Sequence, residues 1–264
     1  MMFLRSVALK RSRSLPDGYP FDVAQRLIGG CLEFPSAVTF FVGENGSGKS
    51  TILEAIAAAV GLPAVGGDAV AYDETLQDAR RLGNSLQLIW NRRSLRGFFM
   101  RSEDFFNFTR RILSLTQSLA RDAAEVENEL SGYGLHLAKG SLLGQRQALI
   151  DKYGEDLLAC SHGEGILHVL RERFAPGGIY LLDEPETPFS PQRELALLSL
   201  IRQMAEEECQ FIIATHSPIL LALPNATIYN FDENPAQVCS YDDLEHVKLT
   251  REFLNAPQRF LRWL

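Results

Sequence analysis

The run Gly43-Glu44-Asn45-Gly46-Ser47-Gly48-Lys49-Ser50 fits the pattern GxxxxGK followed by Ser or Thr, and its residue types suit the binding of phosphate. Glycines let successive backbone N–H groups turn toward one anion. A helix beginning where the loop ends adds orphan donors and the positive end of its dipole. Lys49 is expected to bridge the β and γ phosphates of a nucleotide such as ATP, and the Ser50 hydroxyl to hold Mg²⁺. Thr51 joins the expected nucleotide contacts. The alternative is a Gly-rich turn carrying a solvated lysine, and the flanks weigh against it. A β-rich run at Ala37–Val42 precedes the loop, and a helical stretch at Ser50–Val60 follows it, stopped by Gly61 and Pro63.

A second chemical element is the apolar strand Ile179-Tyr180-Leu181-Leu182, which ends in Asp183-Glu184. In open α/β sheets ligands bind at the carboxyl ends of the strands, so a carboxylate there lies beside a phosphate loop. Asp183 is expected to orient Mg²⁺, and Glu184 to take a proton from the attacking water. Two acids after a strand are common in themselves. The phosphate loop 134 residues before Asp183 gives them their reading.

Elements must carry these residues to one edge. Strands are predicted at Phe3–Leu9, Leu86–Trp90 and Gln210–Ala214, with helices at Phe105–Leu130, Gly144–Lys152, Gly163–Phe174 and Pro191–Glu208. Continuous apolar strands alternating with helices imply a mostly parallel sheet flanked by helices. The chain has 264 residues, 46% hydrophobic and 22% charged, which excludes collagen-like, disordered and coiled-coil classes. No apolar run approaches the roughly 18 residues of a membrane span, and the first ten residues alternate as a strand rather than as a signal peptide, so a cytoplasmic location is expected. Cys31, Cys160, Cys209 and Cys239 have no paired spacing and read as reduced thiols.

The charge of −7 is unevenly spread. Arg80 to Arg121 holds nine Arg against Glu103 and Asp104, and Asp122, Glu125, Glu127 and Glu129 then reverse the sign. Arg92, Arg93, Arg96, Arg110 and Arg111 are consistent with a phosphate-binding face for nucleic acid, or with surface pairing to Glu125, Glu127 and Glu129. The five Phe between Phe98 and Phe108 read as strand and helix core rather than as base-stacking rings.

Four further runs carry a family resemblance: Leu182-Asp183-Glu184-Pro185-Glu186 with Ser190-Pro191, Ile213-Ala214-Thr215-His216-Ser217-Pro218, Ser161-His162-Gly163-Glu164, and Leu249-Thr250-Arg251-Glu252-Phe253-Leu254. The chain resembles the ABC-type P-loop ATPases, and within them the small SMC-like bacterial ATPases of the AAA family. The resemblance implies an ABC-type nucleotide-binding domain over 1–264, with 1–67 and 159–264 as its core. Residues 68–158 supply the rest of the first lobe and a helical lobe. It also implies that Ser161 and Gly163 form the signature that meets the γ-phosphate held by another subunit, that Ser190 lies in the D-loop, and that His216 is the switch histidine. Ser-His-Gly-Glu-Gly departs from transporter signatures. Gly97–Asp104, where a metal-sensing Gln is expected, offers Arg101 and Glu103 instead. Tyr19 and Phe21 are the two rings considered for adenine stacking.

The expected activity is hydrolysis of ATP with Mg²⁺ by an ATP-dependent head-to-tail homodimer, coupled to a nuclease or other protein partner in a repair-like or defence-like process. The alternatives are the ATP-binding subunit of a transporter and an ATP-dependent binding switch with little turnover. The 112 residues between Lys49 and Ser161 leave no room for long coiled-coil arms.

Overall fold

The computed structural model describes residues 2–10, 15–27, 31–65, 76–94, 96–129, 131–153 and 162–262. Its centre is a six-stranded sheet. In chain order the strands are β3 (Val38–Val42), β5 (Gly97–Arg101), β6 (Ile179–Asp183), β7 (Gln210–Ala214), β8 (Thr227–Asn230) and β9 (Gln237–Cys239). They lie in the order β5-β6-β7-β3-β8-β9, parallel except for the β8–β9 hairpin at one edge. The parallel sheet expected between helices is therefore present. A second, antiparallel sheet of β1 (Leu4–Leu9), β2 (Leu32–Glu33) and β4 (Leu86–Trp90) packs beside it.

Side chains alternate between two cores, one on each face of the large sheet. Phe40, Tyr180, Leu182, Phe211 and Ile213 face α5 (His162–Arg173) and α6 (Pro191–Glu206). Phe41, Leu181 and Ile212 face α1 (Lys49–Val60), α2 (Gln77–Gly83) and the antiparallel sheet. Strands buried on both faces read as unbroken apolar runs, which is why β3, β6 and β7 were legible. Phe98, Phe99 and Phe108 are core residues, as expected, and Phe98 stacks on Phe174.

The helices α3 (Ser102–Glu129) and α4 (Gly132–Tyr153) pack together as a hairpin. The 28 residues of α3 span about 42 Å. The helix α4 begins twelve residues before the expected Gly144. Its glycines at 134, 140 and 144 each cost about 1 kcal/mol against Ala in an isolated helix, but packing against α3 offsets that. A Glu127–Lys139 ion pair and the Phe108–Tyr153 contact join the two helices near opposite ends.

The arginine segment does not form one face. Arg92, Arg93 and Arg96 precede the amino end of β5, whereas Arg110 and Arg111 lie in α3 beyond its carboxyl end. Arg92 pairs with Glu208 and covers the Phe3 ring, while Glu127 takes Lys139. The expected pairing of Arg92 with the acidic run is thus replaced by a partner on the loop after α6.

No helix among the described residues is long and apolar enough to cross a membrane. Cys31, Cys209 and Cys239 are free thiols, and Cys160 lies outside the described residues.

Candidate functional site

Register in the parallel sheet brings the chemistry to one edge. Asp183 and Ala214 are neighbours across β6 and β7, Phe41 and Ala214 across β3 and β7, and Val42 and Asn230 across β3 and β8. The residues following those strand ends therefore surround one point. They are the loop 43–48, Asp183-Glu184, Thr215-His216 and Asp232.

The loop wraps tightly. Gly48 has φ +96°, and a Cβ there would lie 2.2 Å from Val23 Cγ1, so only glycine fits. Lys49 is buried, and its ammonium donates to the carbonyls of Gly43 at 2.7 Å and Glu44 at 2.8 Å. Burial lowers its pKa from the ordinary lysine value, against the pull of Glu184, Asp232, Asp183 and Glu44. Ser47 Oγ is shielded and has no partner among the described residues. Asp232 Oδ1 accepts from Glu44 N at 2.7 Å and holds the loop from the β8 side. Asn45, Gly46 and Thr51 occupy the loop tip and first turn expected of them, and Tyr19 Oη lies 3.4 Å from Thr51 Oγ1.

Ser50 Oγ donates to Asp183 Oδ1 at 3.0 Å, so the two expected metal ligands are brought together. Burial raises the Asp183 pKa to about 6. A hydroxyl and a buried carboxylate converging beside a phosphate loop are hard oxygen donors of the kind Mg²⁺ takes. Glu54, one turn further along α1, lies near them, and burial together with Asp183 raises its pKa to about 7. Arg101 faces Glu54 at 4.0 Å and Glu103 at 3.3 Å, and is held by Asp104 at 2.9 Å. Glu103, considered for metal sensing, is thus an exposed partner of Arg101.

Glu184 adopts φ +47°, a left-handed backbone that costs a non-glycine residue roughly 1–2 kcal/mol, and its N–H is held by Ala214 O at 2.9 Å. Its Oε1 lies 3.8 Å from His216 Nε2. That nitrogen is shielded and has no hydrogen-bond partner among the described residues. Burial, with Lys49 nearby, lowers the His216 pKa, which favours the neutral imidazole. Gly43, Glu44, Asn45, Glu184, His216 and His246 line a cleft of about 830 Å³.

Ser161 lies outside the described residues, and Gly163 is the second residue of α5. Ser190 is the residue before α6. Phe21 is buried under Arg81, whereas Tyr19 is exposed, so the two aromatic candidates separate. Sequence reading missed Asp232, Glu54 and the partners of Glu186. An acid following the apolar strand β8 was the available signal for Asp232.

An AAA domain family model matches residues 29–87, which hold the loop and α1. A second model, described as an AAA domain, putative AbiEii toxin, Type IV TA system, matches residues 166–222, which hold β6, β7 and His216. Both models describe AAA domains, and the fold they fall on is α/β, a mostly parallel sheet flanked by helices. Among solved structures, the chain is similar to the Smc head domain of Pyrococcus furiosus, with an extended coiled coil and bound to the C-terminal domain of ScpA. The identity is 15%, with 96% of this chain and 100% of that one covered and a TM-score of 0.46. The SMC head domain from Thermotoga maritima gives 17% identity, 90% and 99% coverage and a TM-score of 0.41. A putative metal-chelate type ABC transporter in an inward-facing conformation gives 16%, 81% and 76%, and 0.43. None of the curated proteins matches the chain.

Proposed function

We propose that the chain binds ATP with Mg²⁺ and hydrolyses it to ADP and phosphate at composite sites of an ATP-dependent head-to-tail homodimer. The carrying observation is the convergence of Lys49, the Ser50–Asp183 bond, Glu184 and His216 at the ends of three adjacent strands.

Each side chain then has one task. The loop N–H groups and Lys49 bind the phosphates, and Lys49 exchanges two carbonyl acceptors for phosphate oxygens. Ser50 and Asp183 would hold Mg²⁺, whose charge would offset that of the phosphoryl oxygens. Glu184 accepts a proton from water as the water oxygen attacks the γ-phosphorus and the bond to ADP breaks. His216 donates to the γ-phosphate. Ser161 and Gly163 close the site of the opposite copy. A nuclease or other protein partner in a repair-like or defence-like process would use the resulting opening and closing.

The test is phosphate release from ATP by the purified chain, alongside equilibrium binding of labelled ATP. Lys49→Ala should lose ATP binding, since the buried cation is removed from the cradle. Wild-type affinity in that variant, or ATP turnover that persists without Mg²⁺, would overturn the assignment.

A further inference from the structure

Glu186 stands two residues beyond Glu184 and reaches away from the loop to the end of β7. Its Oε1 accepts from Thr215 Oγ1 at 2.6 Å and from His216 N at 2.9 Å, while its Oε2 is shielded without a partner among the described residues. Thr215 is fully buried, and its Oγ1 also accepts from Ser217 N at 3.0 Å. The Ser217 hydroxyl donates to Glu194 of α6 and accepts from Ile219 N and Leu220 N at 3.2 Å each. A continuous set of bonds therefore runs from the tail of β6 through the corner that carries His216 into α6.

The ring of His216 is not held by itself. Its Nε2 is unpartnered and stands 3.8 Å from Glu184, outside hydrogen-bond range. The residue is anchored instead at its backbone, where the His216 N–H donates to the buried Glu186 carboxyl. Resting on the ATPase reading above, we propose that Glu186 is a positioning residue that acts through His216. It sets the imidazole against Glu184 and the nucleotide end of the cleft.

The test is a double-mutant cycle on the full chain, using Glu186→Ala, Glu186→Gln, His216→Ala and the double Ala variant, with kcat and KM for ATP. Glu186→Ala should lower kcat by about 10- to 100-fold, the range for loss of a group that orients a site residue, with KM changed by less than about threefold. Glu186→Gln keeps an acceptor oxygen and should recover most of the rate. In the His216→Ala background Glu186→Ala should cost nothing further, because groups acting as one unit are non-additive. Additive losses, or equal losses from Gln and Ala, would overturn the proposal. Should the Ala variant fail to fold, Thr215→Val removes one of the two donors to the same carboxylate and replaces it in the cycle. If the wild-type chain releases no phosphate, the hydrolysis reading falls by itself. The His216 imidazole resonances without nucleotide then decide: a shift in Glu186→Ala or Thr215→Val that Glu186→Gln does not show supports the positioning role, and unchanged resonances sink it.

Discussion

Ser50 donates its hydroxyl hydrogen to Asp183 across 133 residues of sequence, spanning the end of β7 that lies between their strands. The bond ties the first turn of α1 to the end of β6, where the Lys49 charge is near enough to oppose the rise in the Asp183 pKa. Asp183→Asn keeps the shape and a bonding atom for Ser50 but removes the charge. ATP affinity in the presence of Mg²⁺ should fall by about tenfold or more, the effect of losing one charge-assisted contact, and affinity without Mg²⁺ should change little. Titration of labelled ATP in the two conditions checks it, and equal losses in both would argue against a metal role.

Glu184→Gln should keep ATP binding and slow phosphate release by roughly 10² to 10⁴, the usual cost of a lost general base. With hydrolysis slowed, an ATP-closed pair of chains should persist. Light scattering should then give twice the monomer mass with ATP and the monomer mass without it. One mass under both conditions would leave no place for ATP-controlled dimerisation.

The parts of the fold legible in sequence are those whose signals are local. The loop between β3 and α1, and the apolar strands β6 and β7 ending at Asp183 and near His216, announce themselves by composition alone. Strands β1 and β4 of the antiparallel sheet were legible too, but β2 has only two residues and its pairing with β1 depends on a partner about 25 positions away, so it left no local trace. The start of α4 was hidden by glycines that only packing against α3 makes tolerable. At the site, the strand-end residues were readable, but their supports were not. Glu54 and Glu186 owe their environments to groups 47 and 29 residues away, Arg101 and Thr215, and no local pattern shows those groups to be neighbours.

Glu54 gives a pH-dependent prediction. Its folded pKa of about 7 exceeds the ordinary carboxylate value of 4.5, chiefly through burial, with Asp183 adding to it and Arg101 opposing. The folded state thus binds the proton more tightly than the unfolded chain. Stability is retained below the unfolded value and falls as pH rises from about 4.5 toward 7. Glu54→Gln removes this dependence. Measured by urea unfolding without nucleotide, the stability of the variant relative to wild type should rise between pH 5 and pH 8 by up to about 2 kcal/mol. A difference that stays constant, or that favours wild type at pH 8, would show that the Arg101 pair outweighs burial.

Tyr19 supplies the last prediction. Phe21 is committed to the core, whereas the Tyr19 ring is 59% exposed beside the first turn of α1, with its hydroxyl 3.4 Å from Thr51 Oγ1. A flat ring held at the exit of a phosphate loop can stack on a base, a contact worth about 1–3 kcal/mol, or roughly 5- to 150-fold in affinity. Tyr19→Ala should weaken ATP binding within that range, and Tyr19→Phe, which keeps the π-face and gives up only a long hydroxyl contact, should bind nearly as wild type. Inorganic tripolyphosphate carries the same charge pattern without a base, so its affinity should be equal in all three proteins. If Tyr19→Ala weakens tripolyphosphate as much as ATP, the ring supports the loop rather than the base, and adenine must be held elsewhere.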